Sequence, residues 1–173
     1  ADGKVFAASA TRHLSNRGAI FVFEMFLSPS IYNSVSRISI AGEQLQGYVL
    51  AMARDALTLS FTSTSSLVRI FRRPSRSMGS WTAQGPLTLP QFTYSSASLA
   101  FSYSGDVLLF GDGGFDNGKG VTYLFARDNG VWAQRGTRMQ EPTVVGPQPY
   151  FGLTMGLSDD GAITAIGAPG NGG

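Results

Sequence analysis

Phe151-Gly152-Leu153-Thr154-Met155-Gly156-Leu157-Ser158-Asp159-Asp160-Gly161 runs directly into Ala162-Ile163-Thr164-Ala165-Ile166-Gly167-Ala168-Pro169. Two short apolar and Thr-bearing segments flank the turn pair Asp160-Gly161, which is the signature of a strand, a tight turn and a second strand. Glycine supplies the positive φ that such a turn requires, and Pro169 stops the second strand. The same turn-and-strand element occurs three more times. It reads Asp2-Gly3-Lys4-Val5-Phe6-Ala7-Ala8, Asp55-Ala56-Leu57-Thr58-Leu59-Ser60 and Ser104-Gly105-Asp106-Val107-Leu108-Leu109-Phe110. The turn positions 3, 56, 105 and 161 stand 53, 49 and 56 residues apart.

Other elements recur in the same order. Gly18 to Phe23, Ser66 to Phe71 and Gly120 to Phe125 form a second set, ending on phenylalanines 48 and 54 residues apart. Trp81 and Trp132 mark a third, and the first unit has no tryptophan in that place. Tyr48 to Ala53, Ser96 to Tyr103 and Phe151 to Ser158 precede their turns as a fourth. Ala19 to Phe23 is almost continuously apolar, as in a strand covered on both faces. Asn33 to Leu45 comes closest to a helical pattern, but its β-branched residues, serines and Gly42 favour strand and loop. Four strands in about fifty residues is the arithmetic of a β-propeller blade. A β-sandwich with chance likeness among its strands is the competing reading.

Composition narrows the classes. The chain has 173 residues, with 22 Gly, 8 Pro, 43% hydrophobic and 14% charged residues. It is too apolar for a disordered chain, has no run of about 18 apolar residues that would cross a membrane, and shows no three-residue glycine period. Without cysteine it has no disulfide, zinc–thiolate site or thiol nucleophile. It starts at Ala1 with no Met and no signal peptide, which suggests a processed chain or a segment of a longer one. The net charge of +2 comes from 11 Arg and 2 Lys against 11 acids. That mild excess does not form the basic stripe of a nucleic-acid binder.

The last unit resembles the FG-GAP repeat, named for the Phe-Gly and Gly-Ala-Pro ends seen here as Phe151-Gly152 and Gly167-Ala168-Pro169. The resemblance implies an integrin-α-type propeller and an extracellular or cell-surface location. The earlier units depart from it. Unit three has Gly111-Asp112-Gly113 and unit two Thr62-Ser63-Thr64 where the last has Gly-Ala-Pro. The expected fold is all-β, with blades of four antiparallel strands. The units would be 1–46 (three strands), 47–93 and 94–148 (complete blades) and 149–173 (two strands). Such a set does not close as a ring, since closed propellers have about four to eight blades. The chain is then completed by the rest of a longer chain, by other protein chains, or by copies of itself.

Candidate chemistry is sparse. Integrin-type repeats often carry an Asp-x-Asp-x-Asp-Gly calcium loop, so the resemblance makes Asp159 and Asp160 candidate ligands. Ser158-Asp159-Asp160-Gly161 is too short to supply the six to eight oxygens calcium takes. Asp112 and Asp116 lie in a longer acidic loop, 112–118, whose spacing matches no calcium motif. Solvated turns without metal or other cofactor are the expectation for both. Arg69, Arg72, Arg73 and Arg76 form the one basic cluster. It reads as a solvated hairpin end or as a site for an acidic glycan or phosphate. His13 follows Arg12 in a loop and reads as structural, since no Gly-x-Ser-x-Gly elbow accompanies it. The two tryptophans read as packing under a strand or as sugar platforms, and Ser60 to Ser66 could carry O-linked sugar. The expected function is a non-catalytic extracellular module for protein or glycan binding or for assembly, presenting the loops Arg72 to Met78 and Asp112 to Lys119. The alternatives are the scaffold of a larger secreted enzyme and a propeller lectin.

Overall fold

The computed structural model describes residues 4–27, 30–44, 47–63, 67–76, 80–89, 92–93, 96–141 and 148–170, without the side chains of 14, 16 and 25–35. Asp2-Gly3, Thr64 to Ser66 and the Ser77–Met78 end of the arginine loop lie outside these residues. The strands follow the repeat. The first sheet holds β1 (Val5–Ala10), β2 (Ala19–Leu27) and β3 (Ser30–Ile38). The second holds β4 (Leu50–Met52), β5 (Thr58–Thr62), β6 (Leu67–Arg72) and β7 (Thr82–Thr88). The third holds β8 (Ala97–Phe101), β9 (Val107–Asp112), β10 (Val121–Asp128) and β11 (Val131–Gln134), and the fourth β12 (Thr154–Leu157) and β13 (Thr164–Gly167). Every strand pairs antiparallel with its neighbour in sequence.

Side-chain alternation stacks these sheets face to face. Leu59, Phe61 and Phe71 of the second sheet meet Ile20, Val22 and Ile38 of the first. The opposite face of the second sheet sends Val68, Ile70 and Leu87 against Leu108, Phe110, Tyr123 and Phe125 of the third. The second sheet is therefore apolar on both faces. The innermost strands β4, β8 and β12 contact one another in succession. This is the radial stacking of propeller blades, here about three with extra strands and no closed ring.

The Phe-Gly and Gly-Ala-Pro residues interlock neighbouring sheets. Gly111 holds the third-sheet place of Gly167, and a Cβ on it would strike the carbonyl of Gly152 in the fourth. Gly152 has φ +87, and a Cβ there would lie 2.8 Å from the Val121 carbonyl and 2.7 Å from Thr122 Oγ1. Ser98 Oγ donates to the Gly152 carbonyl at 2.6 Å. Glycine is thus required on both sides of this junction, by space at Gly111 and by space and conformation at Gly152. In the second sheet Ala56 takes the turn position with φ 61, a left-handed conformation that costs a Cβ-bearing residue roughly 1–2 kcal/mol.

Two single helical turns depart from the all-strand-and-loop expectation: α1 (His13–Asn16) and α2 (Phe115–Gly118). Both close alike, with Gly18 N–H donating to His13 O and Gly120 N–H to Phe115 O at 3.0 Å. The acidic loop 112–118 is therefore a wound turn, with Asp116 and Asn117 both left-handed.

Candidate interaction surfaces

The four clustered arginines do not converge. Arg69 pairs with the buried Glu43, and burial pulls its guanidinium below the ordinary value. Arg72 reaches Asp106 of the third sheet at 3.2 Å and Thr58 Oγ1 at 3.0 Å. Arg73, only 4% exposed, pairs with Glu24 of the first sheet, donates to Ala56 O at 3.0 Å and covers the Trp81 ring at 5.0 Å. Arg76 donates to Asp55 O at 2.8 Å. The solvated hairpin end is thus corrected for Arg73. Like charges in one stretch of sequence are separated by finding different carboxylates. Arg69, Arg72 and Arg73 each bind a carboxylate, and Arg72 and Arg73 do so across sheet boundaries.

The candidate metal ligands are also engaged. Asp112 is fully buried and accepts from Thr93 N–H at 2.9 Å and Gly114 N–H at 3.0 Å. A solvated turn is therefore the wrong description for this residue. Asp116 pairs with Lys119 and Asp159 with Arg54, each at 2.8 Å. Asp160 accepts from Ser158 Oγ at 2.5 Å and Ala162 N–H at 3.0 Å. Among the described residues no three acidic or His side chains gather as a metal site. His13 sits edge-on to Phe21 at 5.5 Å.

Two carboxylates respond to these surroundings in opposite directions. Burial pushes Asp112 above the ordinary carboxylate value of 3.8, despite its backbone hydrogen bonds. Desolvation pulls Asp106 the same way, but hydrogen bonds from Arg127 and Ser104 and the charges of Arg127 and Arg72 outweigh it, leaving it below that value. Asp112 therefore supports the fold fully below 3.8, and that support fades as pH rises through its higher folded value. The support from Asp106 is present above 3.8 and is lost as pH falls through its lower folded value. Urea titrations at stepped pH check this. The stability of the wild type relative to Asp112→Asn should drop as pH rises above 3.8, and relative to Asp106→Asn it should drop as pH falls below 3.8.

The chain's aromatic residues mark an open surface. Phe6, Leu59 and Leu108 each stand three residues after their turn position. Leu59 and Leu108 are 0% exposed, while Phe6 is 40% exposed. Each lies opposite the recurring phenylalanine, as Phe6↔Phe23, Leu59↔Phe71 and Leu108↔Phe125. Phe6 stacks on Phe23 at 4.8 Å, and Val5 and Ala7 point the other way into the core. The outer face of the first sheet thus offers apolar groups that the next two sheets bury. A groove between the first and second sheets is a second surface, with two adjoining chambers of about 350 and 380 Å³ that share Ser39 and Phe71. Trp81 and Arg37 line one chamber and Arg69 and Ile70 the other.

No family model matches the chain, and no curated protein matches it. Solved structures do. The β-propeller domain of Cps50 (Swd1) from Myceliophteria thermophila superposes with TM-score 0.55 at 13% identity, over 90% of this chain and 46% of that one. A Bacteroides fragilis protein named provisionally as a 6-phosphogluconolactonase gives TM-score 0.60 at 16% identity, over 81% of this chain and 37% of that one. The chain spans less than half the length of each. The likeness shows the fold, a part of a β-propeller.

Proposed function

We propose that this chain is a non-catalytic, FG-GAP-like propeller module that works at the cell surface or outside the cell, in protein binding or assembly. Residues 1–46, 47–93, 94–148 and 149–173 act as its successive units. The open Phe6–Phe23 face carries the reading, because the same register positions are buried against a neighbouring sheet in the next two units. Arg72, Arg73 and Asp106 further support it, since they form ion pairs that join neighbouring sheets. In sedimentation velocity the wild-type chain should associate as its concentration rises. Combined Phe6→Ser and Phe23→Ser should suppress that association with little change in melting temperature, as Phe6 is already part-exposed. Association that survives the substitutions would count against this face.

A lectin is the second reading, favoured by the Trp81 groove, where an indole lies beside Ser36, Arg37, Ser39 and Ser80. Retention on a glycan array that disappears with Trp81→Ala would support it, and a blank array would remove it. An enzyme scaffold remains the third, and a native chain with a separate catalytic domain would favour it.

A further inference from the structure

The groove between the first and second sheets runs along β3, β6 and β7, so both of its walls are internal to the chain. β2 and β3 shift register between Val22 and Phe23, and β6 and β7 between Arg69 and Phe71. Such irregularities bend a strand and disrupt its pairing locally. Gly85 lies in the second of them, with φ +86 and nothing within 4 Å of its Cβ position. The register sets Ser36 opposite Val22 and Ile38 opposite Ile20. Val22 and Ile20 face the second sheet, so Ser36 and Ile38 face it too. The small side chain of Ser36 leaves room beside Phe71 and Trp81. These features border the two chambers of about 350 and 380 Å³.

The two chambers differ in chemistry. The first is lined by Trp81 and by Ser36, Ser39 and Ser80. The indole nitrogen of Trp81 is buried while the residue as a whole is half-buried. The indole therefore meets the chamber through ring carbon, a surface for stacking and not for hydrogen bonding. Arg73 covers that ring at 5.0 Å and holds it in place. The second chamber is lined chiefly by Ile40, Ile70, Phe71, Ala83 and Pro86. Charge is already matched around both, since Arg69 pairs with Glu43 and Arg73 with Glu24. Arg37 alternates with Ile38, so its side chain leaves β3 on the opposite face. The groove thus calls for neither an anion nor a cation.

We propose that this groove binds a neutral glycoside that carries an apolar aglycone. The proposal rests on the lectin reading and names the class of its ligand. The sugar ring lays a C–H face on Trp81, and its hydroxyls exchange hydrogen bonds with the three serines, each of which both donates and accepts. The aglycone passes Ser39 and Phe71, which the chambers share, and lies against Ile40, Ala83 and Pro86. An apolar cavity with a few polar groups at one end is the usual build of a small-molecule site. A free sugar would leave the second chamber unused, and an alkyl chain alone would leave the serines without partners.

Trp132→Phe leaves Trp81 as the single indole of the whole chain, so its fluorescence reads this groove. That chain is titrated with the hexyl and methyl glycosides of glucose, galactose and mannose, and with 1-hexanol. At least one hexyl glycoside should give a saturable change with a Kd at least about tenfold below that of its methyl counterpart, because the added methylenes enter an apolar chamber. 1-Hexanol should bind at least about tenfold more weakly than that hexyl glycoside. Ala83→Leu, at an exposed strand position that lines the second chamber, should abolish the hexyl advantage and leave the methyl glycoside unchanged. Ser36→Ala should weaken both glycosides. No saturable change with any glycoside, equal binding of hexyl and methyl forms, or equal binding of 1-hexanol and the hexyl glycoside would overturn the proposal. Trp81-dependent retention on a glycan array together with equal hexyl and methyl binding would remove the aglycone chamber and leave the lectin reading standing.

Discussion

Gly152→Ala should destabilise the chain by about 2–5 kcal/mol. Holding alanine at φ +87 costs roughly 1–2 kcal/mol. Pushing its Cβ into the Val121 carbonyl and Thr122 Oγ1 adds about 1–3 kcal/mol, since neither neighbour is the far end of a flexible side chain. For a chain of this size the melting point should fall by roughly 5–15 °C. Gly130→Ala separates the two costs. Gly130 has a similar φ of +84 and nothing within 4 Å of its Cβ position, so only the conformational part applies. Equal losses from the two substitutions would show that the junction of the third and fourth sheets is not packed as described.

Arg73→Met should be the costliest of the arginine substitutions. The guanidinium is buried, and its removal leaves Glu24 without its partner, Ala56 O without its donor and Trp81 without its cation. Breaking a buried pair on one side costs about 3–5 kcal/mol, and the 18% exposure of the Glu24 side chain places this case toward the lower figure. Glu24→Gln combined with Arg73→Met should recover part of the loss, because no uncompensated charge is then left. Arg54→Met, at a pair exposed on both sides, should change stability by no more than about 1 kcal/mol. Chemical denaturation of the three variants measures these differences.

Much of this architecture is legible in the sequence because it is local. The turn pairs, the phenylalanines about fifty residues apart and the Phe-Gly and Gly-Ala-Pro ends lead to sheets of three, four, four and two strands. What is hidden is long-range. Arg73 and Glu24 are 49 residues apart and Arg54 and Asp159 are 105, and no local pattern links them. The arginine cluster suggests one site because the residues adjoin in sequence, yet strand alternation and the bend after β6 send each to a different partner. Asp112 looks like a turn residue. Its burial follows only from the way loop 112–118 winds back over Thr93. Ala56 in the turn-glycine position is a visible departure from the repeat, and the structure shows that the left-handed conformation is kept there nonetheless.

The account of sheets stacked like blades depends on their turns meeting at one place. Asp55 N–H donates to Tyr103 O at 3.1 Å and Tyr103 N–H to Asp159 O at 2.8 Å, which joins the turns of three successive sheets. Arg54 Nη1 lies 2.8 Å from both Asp159 oxygens. Zero-length carbodiimide coupling of the Arg54→Lys chain, read by peptide mass spectrometry, tests this most directly. A crosslink between position 54 and Asp159 is the expected result, with the native Lys119–Asp116 pair as internal control. Coupling of Lys119 to Asp116 with none between 54 and 159 would contradict the stacking.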